Sequence, residues 1–139
     1  MLDTGISFIY AEKVDKSILA ELQIVAEIAI NKLKLSKLDI GIIFVSEVKI
    51  QQLNKLYRKK DKVTDVLSFF YGNEGEIFIC LKQAQREARD NKVDLRFELI
   101  KLVIHGFAHI AGHDHVKEGE YIKMNKVEKN IYDIYQKNI

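Results

Sequence analysis

The eleven residues from His105 to His115, His-Gly-Phe-Ala-His-Ile-Ala-Gly-His-Asp-His, restrict the fold more than any other stretch of the chain. His105 and His109 are four apart, so a helix stacks them one turn above the other on a single face. Gly112 follows three residues later, where a glycine in the left-handed conformation ends a helix and turns the chain sharply. His115 then swings back toward the first two rings. Three neutral nitrogen donors gathered in this way suit zinc, copper, iron or nickel, and a zinc with three protein ligands keeps its fourth position open. The expectation is one metal ion per chain, Zn2+ before other divalent transition metals, held by His105, His109 and His115 at the end of a central helix.

Histidines at helical spacing are often only packed or solvated, and a single pair would carry little weight. Here all four histidines of a 139-residue chain fall in one segment. The positions of His105, His109, Gly112 and His115 also coincide with the H-x-x-x-H-x-x-G-x-x-H spacing of metzincin proteases. Those enzymes have a glutamate general base directly after the first histidine, whereas this chain has Gly106, which argues against a peptidase. His113 lies between the turn and the third ligand, and a surface position suits it better than ligation. Asp114 is placed to accept a ring N–H from a ligating histidine, or to cap the helix that follows.

With 47% hydrophobic residues, the chain is long enough for one core and too short for two. A single domain over residues 1–139 is expected. Cys80, the one cysteine, has no intrachain partner and lies in an apolar run, so it reads as a buried thiol in a reducing compartment. Neither a signal peptide nor a membrane-length apolar stretch is apparent, which points to a cytoplasmic protein without a membrane partner. The net charge of +2 permits a polyanionic partner without requiring one.

Periodicity predicts a strand over Ile6–Tyr10 and a helix over Lys16–Leu33 capped by Asp15, then a strand over Leu38–Val45 and a helix capped by Ser46. After a polar connection from Lys59 to Thr64 come strands Asp65–Tyr71 and Glu76–Leu81, joined by the four-residue turn Gly72–Gly75 and therefore antiparallel. Strands joined through helices run parallel, so the sheet is mixed and about four-stranded. Helices over Lys82–Asn91, Leu95–Ala111 and about Lys117–Lys137 bring the helix count to about five. The fold class is α/β (α+β).

The segment Lys55–Lys62 holds five basic residues among eight, including Arg58, and stands at a helix end where cations are favoured anyway. Its meaning comes from its order with the other motifs. Tyr57-Arg58-Lys59-Lys60-Asp61-Lys62-Val63-Thr64-Asp65-Val66-Leu67-Ser68-Phe69, then Gly75-Glu76-Ile77, then the histidine segment together resemble the YbeY family. That family carries Y-R-x-K-D-x-P-T-D-V-L-S-F, G-D-I and H-G-x-L-H-L-x-G-x-D-H blocks. The match runs from about Leu53 to His115, with three departures: Val63 and Phe70 stand at prolines, and Glu76 at an aspartate.

The resemblance implies a single-domain, zinc-dependent endoribonuclease acting on single-stranded RNA in ribosomal RNA maturation and ribosome quality control, with ribosomal RNA and ribosomal proteins as partners. It makes His105, His109 and His115 the zinc ligands and Arg58 the arginine beside the site, neutralising charge on the phosphoryl oxygens. Asp114, Lys62, Asp65 and Ser68 become candidates for supporting the ligands or touching substrate. A metal held by three neutral histidines keeps its double charge and lowers the pKa of bound water, so a missing glutamate is tolerable. Two alternatives stand beside this: a metallohydrolase of another substrate, and a non-enzymatic zinc-binding ribosome-assembly factor.

Overall fold

The computed structural model describes residues 5–113 and 118–138. Strand β1 (Ile6–Ile9) leads through helix α1 (Lys16–Leu33) into β2 (Asp39–Val45), followed by α2 (Glu47–Arg58). The hairpin of β3 (Val66–Phe70) and β4 (Glu74–Cys80) comes next, then α3 (Leu81–Asp90), α4 (Leu95–Ile110) and α5 (Glu118–Lys137). The four strands form one mixed sheet in the order β1-β2-β4-β3. β1 and β4 flank β2 in parallel, and β3 runs antiparallel to β4 at the edge. The predicted sheet and the five helices are thus present, and β4 reaches its place beside β2 by crossing over the edge strand that precedes it.

Local chemistry accounts for the helix starts. Asp15 Oδ1 accepts the Ser17 N–H at 2.8 Å, Ser46 Oγ the Lys49 N–H at 3.1 Å, and Asp94 Oδ1 the Arg96 N–H at 3.2 Å. Each satisfies a donor that the first helical turn leaves unpaired. Alternation along the strands then divides the sheet into two faces. Ile40, Ile42, Phe44, Ile77 and Ile79 join Leu22, Val25, Leu99, Val103 and Phe107 in the main core, beneath α1, α4 and α5. Leu67 and Cys80 turn to the other face and meet Ile50 of α2 in a smaller cluster, so Cys80 is a buried thiol as its neighbours suggested. Among the described residues, no helix is long and apolar enough to cross a membrane.

The hairpin differs from expectation. Its loop is Tyr71–Asn73 rather than Gly72–Gly75, because β4 begins two residues early, at Glu74. Glu74 and Gly75 are held by the parallel neighbour, pairing with Asp39 and Ile40 of β2, and the Asp39 N–H bonds to Asn73 O at 3.1 Å. Turn chemistry read from the loop alone does not register a strand lying on the far side. Gly72 still supplies the left-handed residue, at φ 87°.

Two glycines let α4 lie directly on β4. A Cβ built on Gly106 would stand 2.7 Å from Ile77 Cγ2, and one on Gly75 would stand 3.0 Å from Ile110 Cδ1. Two strand residues and four helix residues each advance about 6–7 Å, so the two contacts fix α4 antiparallel to β4. The same contact explains why no glutamate follows His105: Ile77 is fully buried and occupies the space. Gly106→Ala is expected to cost a net of about 1–2 kcal/mol in urea unfolding, since overpacking of about 1–3 kcal/mol outweighs a helix-propensity gain of about 1 kcal/mol. In an Ile77→Ala background the same change should become neutral or stabilising; an unchanged cost in that background would show that Ile77 is not the obstacle.

Candidate functional site

Helix α4 carries His105 and His109 on one side, as their spacing requires, with ring centroids 4.7 Å apart at an interplanar angle of 73°. The helix ends where the sequence places its glycine. Gly112 adopts φ 98°, its N–H bonds to His109 O at 2.9 Å, and the His113 N–H reaches back to Ala108 O at 3.1 Å. This pair of reversed hydrogen bonds is the Schellman arrangement, and it turns the chain out of the helix one residue before the segment that holds Asp114 and His115. Those two candidates lie outside the described residues. His113 is half-buried, and the contact it makes here is through its backbone.

A residue absent from the sequence reading completes the pair. Glu128, on α5, has Oε2 2.7 Å from His105 Nδ1. A carboxylate only accepts, so the proton lies on Nδ1 and, in the neutral ring, the lone pair lies on Nε2. This is the supporting role proposed for Asp114, filled by a side chain 23 residues downstream of His105. No local pattern marks it, because α5 is a charged helix on which one glutamate looks like the next.

Ser68 is the second element of the site. Val66 packs into the main core and Leu67 into the smaller cluster, so Ser68 shares the α4 face with Val66. It pairs across the hairpin with Ile77, the residue in contact with Gly106, and its hydroxyl is buried without a hydrogen-bond partner. An orphaned hydroxyl beside the imidazole-bearing turn is what a polar ligand there would satisfy. The donor set therefore fits a metal: two imidazoles side by side, one with its tautomer fixed by a carboxylate, and a nearby polar group without a partner.

Arg58 and Lys62 are exposed at and after the end of α2, and the described contacts do not join them to the histidines. The loop that carries them is nevertheless held. Asn54 is 3% exposed; its Nδ2 donates to Lys62 O at 3.0 Å and its carbonyl accepts the Lys60 N–H at 3.2 Å. Lys59 sits in the left-handed conformation at φ 61° to make that turn. Tyr57 packs edge-on against Phe69 of β3 at 5.0 Å, which anchors the end of α2 next to Ser68. Stiffness that a proline at position 63 would supply thus comes from Asn54, with Val63 packed into the smaller cluster. Of the other departures, Phe70 is exposed and Glu76 accepts a 2.8 Å hydrogen bond from Tyr71 Oη. Burial, then that bond, push the Tyr71 phenol up to about 12.

Asp65 has a different neighbourhood. Its Oδ1 accepts the Val66 N–H at 2.8 Å and the Thr64 hydroxyl at 3.4 Å. Its carboxylate groups with those of Glu87 on α3 and Glu98 on α4, their ligating oxygens all within 4.8 Å of one another, an arrangement able to receive a cation. Desolvation, then the hydrogen bond and charge of Asp65, then the charge of Glu98, push Glu87 up to about 7.

Compared with known proteins, residues 8–136 match the family model described as Endoribonuclease YbeY. A relative from Aquifex aeolicus named Endoribonuclease YbeY is 40% identical over 102 residues, covering 68% of this chain and 68% of its own. One of the same name from Sulfurihydrogenibium is 31% identical over 134 residues, covering 90% and 86%. A solution structure of a Thermotoga maritima protein superposes with a TM-score of 0.61 at 28% identity, covering 96% of this chain and 93% of that one.

The raised Glu87 pKa gives a pH dependence whose sign is fixed. A carboxyl whose pKa is about 7 when folded, against an ordinary 4.5, contributes stability that is fully present below pH 4.5 and is lost as pH rises through 7. The stability of the wild type relative to Glu87→Gln, measured by urea unfolding in chelator, should therefore fall between those values and level off above them. A flat difference across that range would show that Glu87 ionises like a solvated carboxylate.

Proposed function

The chain belongs to the YbeY family, and on that premise we propose that it is a zinc-dependent endoribonuclease that cuts single-stranded RNA during ribosomal RNA maturation and ribosome quality control. The observation that carries this reading is the His105–His109 pair, with Glu128 fixing the proton of His105. In it, His105, His109 and His115 hold the zinc, and Asp114 lies between the helix turn and the third ligand. Bound there, the metal supplies a Lewis acid and a source of nucleophile at neutral pH without a glutamate base.

The remaining work falls to the chain itself. Glu128 keeps the Nε2 lone pair of His105 directed away from α5, and the Gly112 turn sets the path by which the third imidazole returns. Arg58 offers a planar fork of donors to phosphoryl oxygens, so that charge growing on them during cleavage meets a fixed cation. Lys62 and its basic neighbours attract the RNA backbone, and Asn54 holds their loop in one shape. The Ser68 hydroxyl is available to bond the ligand or the substrate phosphate. Cleavage of ribosomal RNA in the cytoplasm, alongside ribosomal proteins, is the setting this chemistry fits.

Incubation with single-stranded RNA, duplex RNA and an unfolded protein, each with and without chelator, tests the reading. Cleavage of single-stranded RNA alone, abolished by chelator, is the expected result. Arg58→Ala should lower cleavage by about 10²-fold or more while zinc content stays unchanged. His109→Ala should lose metal first, and Glu128→Gln should weaken zinc affinity by about 10–100-fold. Cleavage indifferent to chelator overturns the proposal, and RNA bound but never cut assigns the chain to assembly rather than catalysis.

A further inference from the structure

We propose that Asp65, Glu87 and Glu98 form a site for a hard divalent cation of about calcium or manganese size, separate from the histidine pair and independent of the nuclease reading. Three elements meet there: Asp65 at the start of β3, Glu87 on α3 and Glu98 on α4. Glu98 is the deciding residue. It is 0% exposed, and neither of its carboxylate oxygens has a hydrogen-bond partner. Lys101 Nζ approaches Oε2 to 3.2 Å from a side chain that is 52% exposed, an ion pair without hydrogen-bond geometry that leaves Oε1 unattended. A carboxylate buried in this way is strongly disfavoured unless a cation or a set of donors compensates it.

The neighbours of Glu98 sharpen the deficit. Asp65 commits Oδ1 to its local turn, which leaves Oδ2 for the group. Glu87 adds a further carboxyl, with the Gln83 side chain as its one other polar partner there. Three carboxyl groups therefore converge on a space that a single half-exposed lysine does not neutralise. All-oxygen carboxylate sets are the coordination chemistry of hard ions, in contrast to the imidazole set of the other site. Size follows from geometry. Two ligands on opposite sides of an ion are separated by at most twice the bond length, about 4.6–5.2 Å for calcium and about 4.0–4.2 Å for magnesium. The observed limit of 4.8 Å admits the larger ion without rearrangement.

The position gives the ion something to do. Glu98 precedes His105 by seven residues, about 10 Å along α4. Asp65 ends the connection that begins with the basic loop. An ion bound to both ties that loop to the helix presenting the imidazoles.

Zinc-loaded protein titrated with Mn2+, followed by water-proton relaxation, tests the site, with Ca2+ as competitor. Saturable binding of one Mn2+ per chain is expected, displaced by Ca2+, with a dissociation constant of about 10⁻⁵–10⁻³ M. Glu98→Gln should weaken it by 100-fold or more, and His109→Ala should leave it intact. If Glu98→Gln fails to fold, Asp65→Asn serves in its place. Absence of saturable binding, binding that survives the carboxylate variants, or binding lost only with His109→Ala each overturns the proposal. Failure of RNA cleavage does not bear on it, since the readout is the ion alone.

Discussion

The contact between Gly106 and Ile77 governs much of the molecule. A helix that must present two imidazoles on one side has to be immobile, and immobility comes from the closeness of its other side to the sheet. The missing Cβ at Gly106 lets α4 settle on the fully buried Ile77, and Gly75 repeats the arrangement against Ile110 one helical turn further on. Two contacts along one line fix both the rotation and the axial position of a helix, and rotation is what decides where a side chain points. The imidazoles, the carboxylate at Glu98 and the glycine turn all inherit their places from that line. A residue that looks like a lost catalytic base in a sequence comparison is thus a packing requirement.

Around this fixed helix the chain arranges two unlike coordination environments. Nitrogen donors gather near the C-terminal end of α4 and oxygen donors near its N-terminal half, with the edge strand β3 running from one toward the other. Its first residue follows Asp65, and its centre carries Ser68. The basic loop before β3 is held by a single buried amide, that of Asn54, and not by any charge of its own. Solvated lysines therefore ride on a backbone whose shape is set from within. This separates shape from attraction: the loop is rigid where it is buried and cationic where it is exposed.

Much of this was legible in the residues. Helix spacing placed His105 and His109 together, Gly112 marked the turn, caps at Asp15, Ser46 and Asp94 marked helix starts, and alternation in β2 and β4 marked a sheet with two faces. These signals are local, acting over one or two turns or a few strand residues. What escaped was set by contacts between distant elements. The start of β4 depends on β2, the support of His105 on Glu128, and the hold on the basic loop on an asparagine inside α2. Asp65 read as part of a loop motif, yet its carboxylate belongs with Glu87 and Glu98, from two helices further along the chain. The third imidazole and Asp114 lie outside the described residues, so the ligand trio rests on the spacing and the family.

The bond from His105 to Glu128 carries a consequence for how the chain matures. Prototropy in an imidazole is ordinarily decided by whatever solvent or neighbour happens to be at hand. Here it is decided by a carboxylate near the end of the polypeptide, on the last helix to emerge from synthesis. Competence to bind metal is thereby deferred until that helix docks, and a half-made chain with its histidine turn already formed still lacks the instruction that aims one of its nitrogens.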